Sequence, residues 1–203
     1  MRILSALFAA LTLAASASAQ EASKNLIVYF SLQGNQRTLQ TDAVSGASLV
    51  VRDGKPVGNT EAIAQMIQEE VGGDIVLIET ENRFSDDHKT VLEEARHNKN
   101  TRHKATKTRV DTAQYDTVFI GFPAWWYDMP DPVFDFLDKH DLGGKKVFVF
   151  CTHGGSGLMR SISEIQSAQP NASVGKTGFA VWGKDAAGAK DDVRDWLRRL
   201  GLR

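Results

Sequence analysis

Two stretches decide how this chain folds: Asn25-Leu26-Ile27-Val28-Tyr29-Phe30-Ser31, and Gly58-Asn59-Thr60-Glu61-Ala62-Ile63-Ala64-Gln65-Met66-Ile67. The first is a short apolar run that reads as a strand. In the second, Ile63, Met66, Ile67 and Val71 recur three and four apart, which places them on one face of a helix. A helix N-terminus has unpaired N–H groups and partial positive charge. Gly58, Asn59 and Thr60, with the hydroxyl of Ser31 brought up by the strand, therefore read as a phosphate site.

Ser31-Leu32-Gln33-Gly34-Asn35-Gln36 looks like an earlier copy of the same turn. No apolar repeat at helical spacing follows it, so only the second copy opens a helix. The first is the mouth of an insertion, residues 32–57, and substitutions at Asn35 or Gln36 are expected to do little to ligand binding. Within the insertion, Asp53-Gly54 between apolar residues signals a hairpin. A small ribbon beside the phosphate site is expected, serving either as surface decoration or as a lid.

At 203 residues, 42% hydrophobic and 24% charged, the chain suits one soluble domain with a full core. Its start is different in kind: Arg2, an apolar run from Ile3 to Ala15 too short to span a bilayer, then Ala17-Ser18-Ala19. This is the pattern of a cleavable signal peptide over residues 1–19, with a single domain over 20–203. Neither a twin-arginine pair nor a cysteine at the cleavage point is present, so export unfolded, without a lipid anchor, is expected. The expected location is periplasmic, and the processed chain is not expected to span a membrane. Cys151 is the only cysteine, which excludes an internal disulfide and suits a small buried residue. The net charge is -1, and loss of Arg2 with the leader takes it to -2. That balance argues against nucleic acid as a partner.

Further along, strands are predicted over 74–79, 115–121, 145–151 and 178–182. Between them helices run through Val91, Leu92 and Ala95, through Val133, Phe134 and Leu137, and after Gly157. A closing helix spans 187–200 with Val193, Trp196, Leu197 and Leu200 inward. The segment 96–109 is rich in Lys and Arg and reads as a solvated helix end or as a docking patch for an acidic partner. Alternating strands and helices imply an α/β fold with a doubly wound parallel sheet, whose ligands sit at the carboxyl ends of the strands. The loops after the first, third and fourth strands then form one site.

Each loop has its own chemistry. The first suits phosphate. The second, Phe122-Pro123-Ala124-Trp125-Trp126-Tyr127, offers aromatic faces for stacking on a planar ring. The third, Thr152-His153-Gly154-Gly155-Ser156-Gly157, has three glycines that let backbone N–H groups approach ring heteroatoms. Phosphate at one end and a flat heteroaromatic at the other describe a mononucleotide, and specifically a flavin.

With Tyr29-Phe30-Ser31, Gly58-Asn59-Thr60, Pro123-Ala124-Trp125-Trp126 and the Thr152–Gly157 run in this order, the chain resembles an exported bacterial flavodoxin over roughly residues 24–202. The resemblance implies a five-stranded sheet of order 2-1-3-4-5 holding FMN without a covalent bond. Carried over by motif, Ser31, Asn59 and Thr60 meet the phosphate. Pro123, Ala124, Trp125 and Trp126 flank the ring, and Thr152, His153, Gly154 and Gly155 meet its pyrimidine side. His153 is a candidate to tune the flavin if protonated near N1. The insertion departs from the family pattern by separating Ser31 from Gly58, as does Tyr127-Asp128, where similar sequences often carry a smaller residue. Three functions fit: an electron carrier between a redox protein or membrane donor and its acceptor, a flavin-dependent reductase of quinones or other small acceptors, and a flavin-free binding module.

Overall fold

In the computed structural model, residues 24–36, 49–98 and 105–203 are described, so the signal-peptide reading, the middle of the insertion and part of the basic segment lie outside them. Strand β1 (Asn25–Tyr29) leads into a single 3-10 turn (Gln33–Asn35). A hairpin of β2 (Leu49–Arg52) and β3 (Lys55–Gly58) then runs straight into helix α1 (Asn59–Val71). Only the second Gly-Asn pair opens a helix, because Ile63, Met66 and Ile67 behind it find a core to enter.

The remaining elements alternate: β4 (Asp74–Leu77), α2 (His88–Asn98), β5 (Thr117–Pro123), α3 (Asp131–Lys139), β6 (Lys146–His153), α4 (Ser161–Ala168), β7 (Ser173–Val174), β8 (Phe179–Trp182) and α5 (Lys190–Arg199). The parallel sheet has the order β4-β1-β5-β6, and both β7 and β8 lie along the outer edge of β6. This is the expected 2-1-3-4-5 winding with its fifth strand split in two. The spacing predicts one strand at 178–182; the extra piece, β7, is only two residues long and carries no periodic signal.

Strand alternation divides the core into two layers. Ile27, Phe119, Phe148 and Phe150 face α1 and α5, where they meet Ile63, Ile67, Val193, Trp196 and Leu197. Val28, Val118, Ile120, Val149 and Cys151 face the other way, against Val91, Val133, Phe136 and Ile165 of α2, α3 and α4. Cys151 is fully buried, donates its thiol to the carbonyl of Gly157 at 3.3 Å, and is pushed by burial up to about 12, as suits a structural residue. At the centre of the sheet, a Cβ on Gly121 would stand 2.0 Å from the Phe150 ring. Gly121→Ala is expected to destabilise the protein by about 2 kcal/mol through overpacking, read as a lower urea midpoint at unchanged slope.

The hairpin follows α1. Arg52 donates to the carbonyl of Ala62 at 3.2 Å and pairs with Glu69, while Val50 packs on the α1–α5 layer. Glu69 also meets Lys190 of α5 at 3.0 Å, and these two cations, Lys190 first, hold its carboxyl below the usual range. The described ribbon therefore rests along α1. Of the basic segment, Arg96 lies over the Trp126 ring at 5.8 Å, Lys107 pairs with Glu79 at 3.3 Å, and Arg109 donates to the carbonyl of Thr108 at 2.9 Å. These three are engaged within the chain.

Candidate functional site

The carboxyl ends of β1, β5, β6 and β8 meet at a cleft of about 480 Å³. Ser31, Asn59, Thr60, Pro123, Ala124, Trp125, Thr152, His153 and Gly154 line it, which brings together nine of the twelve residues singled out from the sequence. Gly58 lies beneath the lining: it is buried, and a Cβ there would stand 2.2 Å from Ser31 Oγ. Glycine at this place is a matter of close approach, since its N-cap backbone is in the ordinary extended region (φ -62°). Trp126 and Gly155 line a neighbouring recess instead.

One end of the cleft is a set of hydroxyls and amides. Ser31 is carried there by β1, and Thr60 by the first turn of α1, whose N-cap Gly58 has no side chain to cap with. Thr60 and Thr152 hydroxyls lie 2.8 Å apart, both buried, and tie the first turn of α1 to the end of β6. Thr152 and His153 belong to the strand rather than to the loop after it, and β5 likewise runs on through Pro123. The two strands stay paired to Pro123↔Thr152, and Ala124 N–H donates to the Thr152 carbonyl at 2.8 Å. This pairing stiffens both walls of the cleft.

The other end is aromatic. Trp125 stands edge-on to Phe30 and Phe84, both at 5.4 Å and 88°, so it is partly a core residue that presents its remaining surface to the cleft. Trp125 and Asp128 exchange backbone hydrogen bonds of 3.0 and 2.9 Å across a two-residue turn. At its tip, Trp126 (φ 50°) and Tyr127 (φ 62°) adopt the left-handed conformation. Bulky residues rarely do so, and a positive φ there is stored strain at the mouth of the site. Trp126 donates its indole N–H to the Leu92 carbonyl at 3.2 Å, whereas Tyr127 is 75% exposed. The three aromatics thus have three different tasks.

His153 accepts at Nδ1 from the N–H of Gly155 at 2.9 Å. Burial also holds its pKa below the ordinary 6.5. An accepting Nδ1 requires the neutral ring with its proton on Nε2, so this arrangement favours an uncharged donor and not the protonated group expected near N1. Gly155 is at φ +133°, which an L side chain would not tolerate, and its N–H is spent on His153 rather than offered to a ligand. Because the folded pKa is depressed, the unfolded chain binds the proton more readily. The stability from this residue is complete above about pH 6.5 and is lost as pH falls from there through the lowered folded value. Chemical denaturation between pH 7 and 5, roughly spanning histidine titration, should show a shallower fall for His153→Asn than for the wild type.

The sequence reading omits Leu32, Gln33, Leu92, Trp182, Gly183 and Lys184, which also line the cleft. Trp182 ends β8 and Gly183 and Lys184 follow it, and the carboxyl end of that strand lies on the same sheet edge as the other loops, a placement the strand pattern could have signalled. Gln33 brings the insertion into the site, with its Nε2 donating to the Pro56 carbonyl at 3.3 Å. Adjoining the cleft is a second recess of about 480 Å³, lined by Val91, Leu92, Ala95, Trp126 and Tyr127 and sharing Trp125 and Ala124. Among the described residues, none of those lining it is charged.

The family model for flavodoxins matches residues 49–200. Among solved structures, a protein of Bacteroides eggerthii is 24% identical with a TM-score of 0.66, over 89% of this chain and 99% of its own. One of Bacteroides uniformis is 22% identical with a TM-score of 0.64, over 88% and 99%. A flavoprotein of Lactobacillus acidophilus, solved in complex with FMN, is 21% identical with a TM-score of 0.52, over 85% and 99%. No curated protein matches significantly. No described helix is long and apolar enough to cross a membrane.

Proposed function

Because this chain belongs to the flavodoxin family, we propose that it binds FMN non-covalently in the cleft and serves as a redox protein after export to the periplasm. The observation that carries the reading is the polarity of the cleft: buried hydroxyls at a helix N-terminus on one side, Trp125 and His153 on the other, and no carboxylate among the described lining residues. An anionic group with a planar ring fits that donor set. The hydroxyls of Ser31 and Thr60 and the first N–H groups of α1 would hold the phosphate. Trp125 would exclude water from the ring, and His153 would donate from Nε2. Bound there, FMN supplies reversible electron transfer.

A carrier passing electrons between a membrane or protein donor and its acceptor is the first reading, since nicotinamide pools lie inside the cell. The uncharged recess beside Trp126 and Tyr127 favours a second, reduction of a quinone or similar flat acceptor seated next to the ring. Purified protein reconstituted with FMN should show a flavin absorption spectrum and quenched flavin fluorescence. Failure to bind at micromolar concentration would overturn both readings. Rapid mixing of the reduced protein with a soluble quinone separates them: saturable oxidation identifies a reductase, a linear dependence on quinone a carrier.

A further inference from the structure

Alternation along β6 sorts the cleft into two sides. Phe148 and Phe150 face α1, and Thr152, of the same parity, meets the Thr60 hydroxyl there. His153 falls to the opposite side and is in register with Trp182 of β8, with ring centroids 5.5 Å apart. The phosphate end and the ring end therefore lie on different sides of the sheet edge, and Trp182 belongs to the ring end. Two residues on, Lys184 places its Nζ 5.6 Å from the centroid of the Trp182 ring. Among the described residues it is the one charged side chain lining the cleft, and it forms no ion pair with any of them.

We propose that Lys184, and not His153, supplies the positive charge that favours reduced flavin in this protein; the inference rests on the FMN reading above. Two electrons and one proton, taken up at N5, leave the reduced ring with a net negative charge spread over N1 and the C2 carbonyl. A cation on the ring side of the cleft stabilises that form over the neutral oxidised ring, and so raises the midpoint potential. His153 cannot do this while its Nδ1 accepts from Gly155. Lys184 is exposed, so its field on the ring is partly screened and weakens with salt.

The test compares wild type, Lys184→Gln and Lys184→Arg, each loaded with FMN or riboflavin and titrated stepwise with dithionite. Lys184→Gln is expected to bind oxidised FMN within about twofold of wild type but reduced FMN about tenfold more weakly. For a two-electron couple that difference lowers the midpoint potential by about 30 mV. Lys184→Arg should restore the potential, and the gap between Gln and wild type should narrow in high salt. An unchanged potential would overturn the proposal while leaving FMN binding intact. So would a loss confined to oxidised FMN and absent for riboflavin, which would put Lys184 on the phosphate. Wild-type protein that binds no FMN would remove both this inference and the reading beneath it.

Discussion

Asn35→Ala is expected to destabilise the protein by about 3 to 5 kcal/mol, the sum of several buried polar groups left unmet at roughly 1 to 3 kcal/mol each. The side chain of Asn35 is only 2% exposed and serves four partners. Its Nδ2 donates to the carbonyls of Ser31 and Ile78, both at 2.9 Å. Its Oδ1 accepts from Thr80 N–H at 2.7 Å and from the Thr80 hydroxyl at 3.1 Å. The turn after β1 is thereby pinned to the chain leaving β4, and Ser31 is held where its hydroxyl faces the cleft. Urea denaturation should give a much lower midpoint, and FMN affinity should fall with it. These bonds give Asn35 a structural part that its sequence position did not suggest: it holds in place the turn that carries Ser31. Gln36→Ala should cost far less, under about 1 kcal/mol, because Gln36 donates one partly exposed hydrogen bond, to the Ser85 carbonyl at 2.8 Å. A small effect of Asn35→Ala would mean that the turn is held by its backbone bonds alone.

Thr60→Val should weaken FMN binding by about 1 to 3 kcal/mol, roughly 5- to 150-fold, through loss of a donor to a charged group. The same change strands the Thr152 hydroxyl in the buried pair, so a stability loss is expected as well. The two effects separate in the double variant. In Thr60→Val with Thr152→Val both hydroxyls are gone, no buried group is left unmatched, and stability should recover part of the single-variant loss. FMN affinity should not recover. Parallel recovery of both would show that Thr60 acts only by bracing β6, and that the phosphate is held elsewhere. Fluorescence titration and urea denaturation on the same three proteins decide it.

Periodicity carried most of the architecture. The apolar runs at 25–31 and 145–151 and the helical spacing of Ile63, Met66 and Ile67 are local properties, so strand and helix types, the parallel winding and the Gly-Asn turn that opens a helix were legible from them. Motif order brought out the family and the loops that meet at the cleft, because in a doubly wound sheet the carboxyl ends of the strands all lie on one edge. What chain-local pattern could not supply was each side chain's partner. Whether Trp125 stacks in the core or faces a ligand depends on Phe30 and Phe84, which lie 95 and 41 positions away along the chain. The neutral state of His153 depends on a backbone N–H brought round by a glycine at positive φ. The Trp182–Lys184 wall exists because β8 aligns with the far end of β6, and the importance of Asn35 because Ile78 and Thr80 close over it. Such contacts are set by strand register and by how two layers close on one sheet, and so they belong to the tertiary structure alone.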